Sequence, residues 1–355
     1  MQLQILKRTR RISFQGAVAV FVSAILLSLF FSGVLLSLGG TPPLAGFTTL
    51  FQGGFGSRWA LEDSVLKAIP IFLCSLGVAV AFRLKVWNIG AEGQYALGAI
   101  GATGVAIAFP DWPSWAVLPL MALSAACAGG IWGLIPALLR QKMHTNEIIV
   151  TLMFNYIAVY LLQYLVLGVW RDPNSHGFAV SATFSDAAII GPLSGATSIH
   201  WGLVHCIVLG ILLLLFFRYT RIGYEIRAAG ENMNAARYAG IRVDFLVCLV
   251  IAISGGLAGW AGFVEVSATV NQLQPAMLVG YGYTAIVVAW LARLNPAGIA
   301  VASFLLAGLR VGVESLQLDL QVPADFGDIL EGSILLMVLA AGLFLEYRIV
   351  RKGRT

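Results

Sequence analysis

Charge is scarce in this chain. Asp, Glu, Lys and Arg make up 11% of its 355 residues, where a soluble domain carries about a quarter. A water-facing surface cannot be assembled from that supply. With 59% of residues hydrophobic, most of the outside must face lipid. Cysteine is also sparse. Cys74, Cys127, Cys206 and Cys248 each lie inside an apolar run and none belongs to a CxxC pair, so they read as small buried hydrophobes. His144, His176, His200 and His205 are scattered, and no metal site is expected. The sequence has no GxxxxGK[ST] phosphate loop, no HExxH and no Gly-x-Ser-x-Gly, so no catalytic residue and no cofactor is expected.

Long apolar runs are plentiful. With Gly, Pro and charges as punctuation, they predict membrane spans at 14–38, 63–82, 89–109, 115–139, 147–169, 200–217, 244–264, 278–292, 296–314 and 328–346. Most approach the ~20 residues that cross a bilayer core, with 278–292 short and, like 89–109, rich in glycine. The first run follows Lys7, Arg8, Arg10 and Arg11 as a signal peptide would. It is too long for one and shows no small-residue cleavage site, so it predicts a retained helix. With the N-terminus inside, only Arg58, Lys67 and Arg171 fall on the outer side and Arg310 within a span. Every other Lys and Arg falls on the inner side. That asymmetry supports ten spans with both termini in the cytoplasm. It also reads the net charge of +5 as a topology signal facing anionic lipid rather than a nucleic-acid surface.

Two loops stand out. The outer loop 170–199 is a structured or mobile cap, too small for a separate domain. The inner loop 218–243 carries five Arg and two Glu together with a run of Ala and Gly. Asn232 or Asn234 caps a short helix near Met233–Tyr238 that ends at Gly240. Ala235, Ala236 and Ala239 give that helix a shallow face that another protein's cleft could grip. Arginines alone would serve topology, but topology does not require the small residues.

The glycine-rich spans hold the other anomaly. Glu92 sits between Gly90 and Gly93 in an apolar run. An ionised carboxylate in hydrocarbon costs several kcal/mol, so it must face a polar interior or a water-filled path, or become neutral. Residues 280–283 repeat the device as Gly, Tyr, Gly, Tyr. By the topology above the two spans run in opposite directions and lie five apart. An inverted repeat predicts this arrangement, with broken or re-entrant helices meeting near the midplane.

Four segments carry a family resemblance. Arg227-Ala228-Ala229-Gly230-Glu231-Asn232 through Ala235-Ala236-Arg237-Tyr238-Ala239-Gly240 resembles the coupling loop of ABC importer permeases, with Asn234 where the broader pattern has Glu. Asn88-Ile89-Gly90-Ala91-Glu92-Gly93-Gln94 resembles the NIG-x-EGQ signature of the nucleoside-type branch of the simple sugar and nucleoside importers. Thr145–Tyr156 and Gly280–Pro296 match the same family, in order. The resemblance implies an all-α polytopic inner-membrane protein, a single permease domain over 1–355, with 218–243 docking on a cytosolic ABC ATPase. Arg227, Gly230, Asn232, Asn234, Ala235, Ala236, Arg237 and Gly240 would make that coupling surface. It further implies a second permease subunit, as heterodimer or homodimer, and a periplasmic or lipid-anchored substrate-binding protein. ATP hydrolysis would fall to the separate ATPase.

On this reading Asn88, Glu92, Gln94 and Asn155 line a translocation path and hydrogen-bond to a nucleoside, while Tyr281 and Tyr283 stack on its base. The plainer account of the same residues is helix packing, with the tyrosines in an interfacial belt. A simple sugar is the alternative solute. A proton-coupled secondary transporter is the alternative mechanism, though it leaves the Ala/Gly loop without a task.

Overall fold

The computed structural model describes residues 3–7 and 14–323 and, beyond these, 329–330, 332–333, 336–337, 340 and 347–351. The elements are β1 (Leu3–Lys7), α1 (Phe14–Leu38), α2 (Pro43–Phe55), α3 (Arg58–Arg83), α4 (Ala91–Ala108), α5 (Ser114–Met143), α6 (Glu147–Leu167), α7 (Gly202–Tyr219), α8 (Arg221–Glu231), α9 (Met233–Tyr238), α10 (Val243–Val264), α11 (Tyr281–Leu291), α12 (Pro296–Leu320) and β2 (Tyr347–Arg351). Polar residues that read as punctuation do the local work at several starts. Asn146 caps α6 and Thr220 caps α8 through side-chain oxygens that accept backbone N–H groups. Asn295 does the same before Pro296, the first residue of α12.

Among the described residues six helices are long and apolar enough to cross a membrane, or up to seven if a bent pair counts as one span. This is a multi-pass membrane protein. Nine of the expected spans coincide with helices; the run at 328–346 falls largely outside the described residues. Several features depart from the sequence expectation. Residues 39–62, expected as a loop, contain α2, bent by 114° from the Leu26–Leu38 part of α1. The α10 span continues past 264 as a π-helical turn, Glu265–Val270. The expected all-α architecture holds, with one short addition: β1 and β2 pair antiparallel, Leu3 with Arg351 through Lys7 with Tyr347.

The chain forms two compact units. The first draws on residues 1–64 and 305–355. In it Leu36, Leu316 and Leu330 form a small core with Phe47, Leu50 and Leu320 packed against it. Helices α2 and α12 approach through glycine: Gly54 meets the backbone of Gly308, and Gly312 meets the carbonyl of Leu50. Apolar area gives little drive between helices in lipid, so close backbone approach of this kind is what holds them.

The second unit covers residues 65–304 and is built around α4. Gly98 meets Gly259 of α10, Gly262 meets the carbonyl of Tyr95, and Gly129 of α5 meets Gly255. A side chain at any of these would collide with backbone, so α4, α5 and α10 form a tightly joined trio. On one side the 170–199 loop is stitched to the turn after α10. Ile190 N donates to Ser267 O at 2.8 Å, Phe184 N to Asn271 O at 2.9 Å and Ser181 N to Leu273 O at 2.9 Å. On the other side Arg83 Nη2 donates to Leu294 O at 2.9 Å and Lys85 Nζ to Glu231 O at 3.2 Å.

Candidate functional site

The chain does not pass straight from α3 into α4. After Arg83 it runs without helix through Val86–Gly90 before α4 begins at Ala91. Likewise α11 begins abruptly at Tyr281 after an irregular stretch from Asn271. The N-termini of these two helices meet, and Glu92 joins them. Its carboxylate accepts from Gly280 N at 3.0 Å and from Gly282 N at 2.6 Å. Only 3% of Glu92 is exposed. The free N–H groups and positive dipole end of α11 supply what the buried charge needs. Glycine is required at both partners: Gly280 adopts φ +86°, and a side chain on Gly282 would strike the Glu92 backbone.

The non-helical segment before α4 is held by amides. Asn88 Nδ2 donates to Gln94 Oε1 and to Ser254 Oγ, both at 2.9 Å. Asn88 Oδ1 accepts from Gly90 N at 3.0 Å and from Gln94 Nε2 at 3.2 Å. Asn155 of α6 accepts from Gly93 N at 2.8 Å and donates to Ile89 O at 2.9 Å and Tyr283 Oη at 3.1 Å. Thr151 Oγ1 accepts from Ile89 N at 3.3 Å. Each of these groups would cost about 1–3 kcal/mol if buried without a partner. The network therefore holds open a break in regular structure that lipid alone would not tolerate.

The six residues expected along a path thus lie together, in two environments. Asn88, Glu92, Gln94, Asn155 and Tyr281 are buried, and Tyr281 packs edge-on against Tyr95 with ring centroids 6.1 Å apart. Tyr283 is 40% exposed. Ser254, Thr151 and Tyr95 were not foreseen. The small-residue run Ser254-Gly255-Gly256 was the available signal for the first. Glu265 was missed because the expected span stopped one residue short of it, yet this buried carboxylate opens the π-helical turn.

The loop between α7 and α10 folds as two helices. Asn232 is the residue that caps α9, its Oδ1 accepting from Asn234 N at 3.0 Å and Ala235 N at 3.1 Å. Gly240, at φ +81°, closes the helix in the left-handed region. Helix α8, not foreseen, is positioned by Gly230, whose α-carbon abuts the Arg83 carbonyl. Ala228 of α8, Ala235 and Ala236 of α9 and Ala239 just past its end line a groove of about 530 Å³, flanked by Arg221, Tyr224 and Ile241. Ala236 is buried, Arg227 and Asn234 are exposed, and Arg237 pairs with Asp244 at 3.0 Å. Tyr238 projects outward with 94% of its surface exposed.

Residues 60–339 match the family described as branched-chain amino acid transport system / permease component. The chain is similar to the glucose ABC transporter permease protein TsgB13 of Haloferax volcanii, 32% identical over 92% of this chain and 88% of the relative. It is similar to the guanosine ABC transporter permease protein NupP of Bacillus subtilis, 31% identical over 93% and 96%. It also resembles the nucleoside ABC transporter permease protein NupB of Lactococcus lactis subsp. cremoris, 26% identical over 90% of each chain. The chain belongs to the permease-component family of ABC transport systems.

Proposed function

We propose that this permease is the membrane-spanning subunit of an ATP-driven importer of nucleosides, with simple sugars as the second reading of the solute. The observation that carries the ATP-driven part is α9, a six-residue helix capped by Asn232 and closed by Gly240, with a small-residue groove beside it. A cytosolic ABC ATPase docks there through Arg227, Asn232, Asn234, Ala235, Arg237 and Gly240, while Gly230 and Ala236 seat the loop on the permease. ATP binding and hydrolysis occur on that partner. The solute reading draws on relatives described as guanosine and nucleoside permeases; the relative described as a glucose permease keeps the sugar reading in place.

The path runs past the point where α4 and α11 meet. Helix α11 has 11 residues and is about 16 Å long, half of a ~30 Å hydrocarbon core. Its far end lies level with Arg83, through the bond to Leu294 O, so its N-terminus and Glu92 lie near the midplane. Helix α4, of 18 residues, is longer than α11, but two helices whose N-termini meet and which run in opposite directions are what an inverted repeat predicts. Together with the one-sided placement of Lys and Arg, this supports ten spans in a single permease domain of an inner membrane, with both termini cytoplasmic. In this reading Asn88, Glu92, Gln94 and Asn155 frame the path, Tyr281 backs it, and Tyr283 faces it. A second permease subunit, related or identical, and an external substrate-binding protein complete the assembly.

Co-purification of the tagged chain from its native membrane tests the proposal. Recovery of an ABC ATPase and a substrate-binding protein that retains a nucleoside is the expected result. A preparation without ATPase that moves solute on a proton gradient would replace this reading with a secondary transporter.

A further inference from the structure

Resting on that reading, we propose that Tyr156, Tyr160 and Tyr164 of α6, together with Tyr283 of α11, form an aromatic lining of the translocation path on which a flat heteroaromatic solute slides. The three α6 tyrosines are spaced i, i+4, i+8 and therefore share one helix face. They are 53%, 67% and 65% exposed. The opposite face of α6, with Thr151, Asn155, Ala158, Leu162 and Val166, is buried.

Depth argues against a lipid-facing role. Helix α6 has 21 residues, about 31 Å, so Tyr156 sits near its middle and Tyr160 about 10 Å from its end. Tyrosines that face lipid belong at the two interfaces, where the hydroxyl reaches water. A hydroxyl held in hydrocarbon at mid-depth lacks a partner and is costly. The neighbouring helices provide a comparison within the same unit. The exposed face of α7 carries Ile207, Val208, Ile211, Leu212, Leu214 and Leu215, and that of α5 carries Leu123, Ile131, Ile135 and Leu138. Those faces suit lipid. Of these three helices, only α6 exposes phenols at mid-depth among the described residues, interleaved there with Ile149, Met153 and Ile157.

The ladder also continues the site already described. Asn155, the residue before Tyr156, donates to Tyr283 Oη at 3.1 Å, which sets the start of the ladder beside Tyr283. Exposed aromatic surface thus runs from the α4/α11 junction along α6. Rings spaced about 6 Å apart along the axis offer successive stacking faces to a base and hydroxyls to a ribose. Stacking tolerates any base, so the lining favours flat heteroaromatic solutes as a class over sugars without selecting one of them.

The test uses the assembled complex in proteoliposomes with Cys127 and Cys248 replaced by Ser. In that background Tyr160→Cys should react with a charged, water-soluble methanethiosulfonate, and guanosine should slow the reaction. Ile211→Cys on α7 should stay unreactive. Guanosine uptake should fall roughly tenfold in Tyr156→Leu and Tyr160→Leu, the loss of one stacking face. The complex should stay assembled, and Tyr160→Phe should keep most activity. Unreactive Tyr160→Cys with Leu variants equal to wild type would mean a lipid face and overturn the inference alone. Cross-linking between subunits at Tyr160→Cys, with the Leu variants falling apart, would make the ladder a subunit interface and overturn it too. A wild-type complex that takes up no guanosine would sink the solute assignment and this inference together.

Discussion

Glu92 shows how a residue that looks wrong for its surroundings becomes necessary. Its carboxylate is placed in an apolar run by sequence and justified 190 residues later by Gly282 N. Replacing it with Gln removes the charge that complements the α11 dipole and turns one of its two acceptor oxygens into an NH2 donor, so one of Gly280 N and Gly282 N loses its acceptor. Glu92→Gln should cost up to about 2 kcal/mol and lower both melting temperature in detergent and uptake. Unchanged melting would show that the junction is held by other contacts. His200 makes a second prediction. Burial, aided by nearby His205, holds its imidazole down at about 4, against an ordinary value near 6.5. Its Nδ1 accepts from Gly202 N at 3.1 Å, which requires an unprotonated nitrogen there. The unfolded chain therefore binds the proton first. Stability should be complete above pH 6.5 and decline as pH falls toward 4, and His200→Gln should flatten that part of the profile. A wild-type profile flat over that window would contradict the assignment.

Elements differ in how openly the sequence announces them. Helices α5, α6 and α7 were legible because an uninterrupted apolar run longer than 17 residues has few alternatives. Helix α9 was legible because Asn232, the alanines and Gly240 spell a start, a body and a stop. Helix α2 was not, because Gly39, Gly40, Pro42 and Pro43 read as a loop, although Pro43 opens a helix. The meeting of α4 and α11 could be anticipated from two glycine pairs, but the ligands of Glu92 could not, since long-range backbone partners leave no local trace. The π-helical turn at Glu265 was equally hidden. For α9 the capping account predicts that Asn232→Ala costs about 1 kcal/mol of helix stability and weakens ATPase recovery. Gly240→Trp should abolish ATP-driven uptake while membrane insertion continues, because a bulky residue at φ +81° disrupts the end of the docking helix. Normal uptake in Gly240→Trp would remove α9 from the coupling role.

At the scale of the molecule, the second unit joins a glycine-packed trio, the break before α4 and the α8–α9 pair, the cytosolic handle of the proposed function. Gly98, Gly129, Gly255 and Gly259 let α4, α5 and α10 approach at backbone distance, so Gly259→Leu should prevent folding of this unit, seen as loss of monodisperse protein in detergent. The handle connects to the same body through Gly230 at Arg83 and through Lys85 at Glu231, and Arg83 in turn holds the end of α11 at Leu294. Motion of α8 and α9 therefore has a direct mechanical route to α11 and to the junction at Glu92. The central claim is that this route is driven by ATP. Uptake of guanosine into proteoliposomes holding the co-purified complex and its binding protein tests it most directly. Uptake that requires ATP on the cytoplasmic side, ignores a proton gradient and is lost in Gly240→Trp is the predicted result. Uptake that follows an imposed proton gradient without ATP would contradict it.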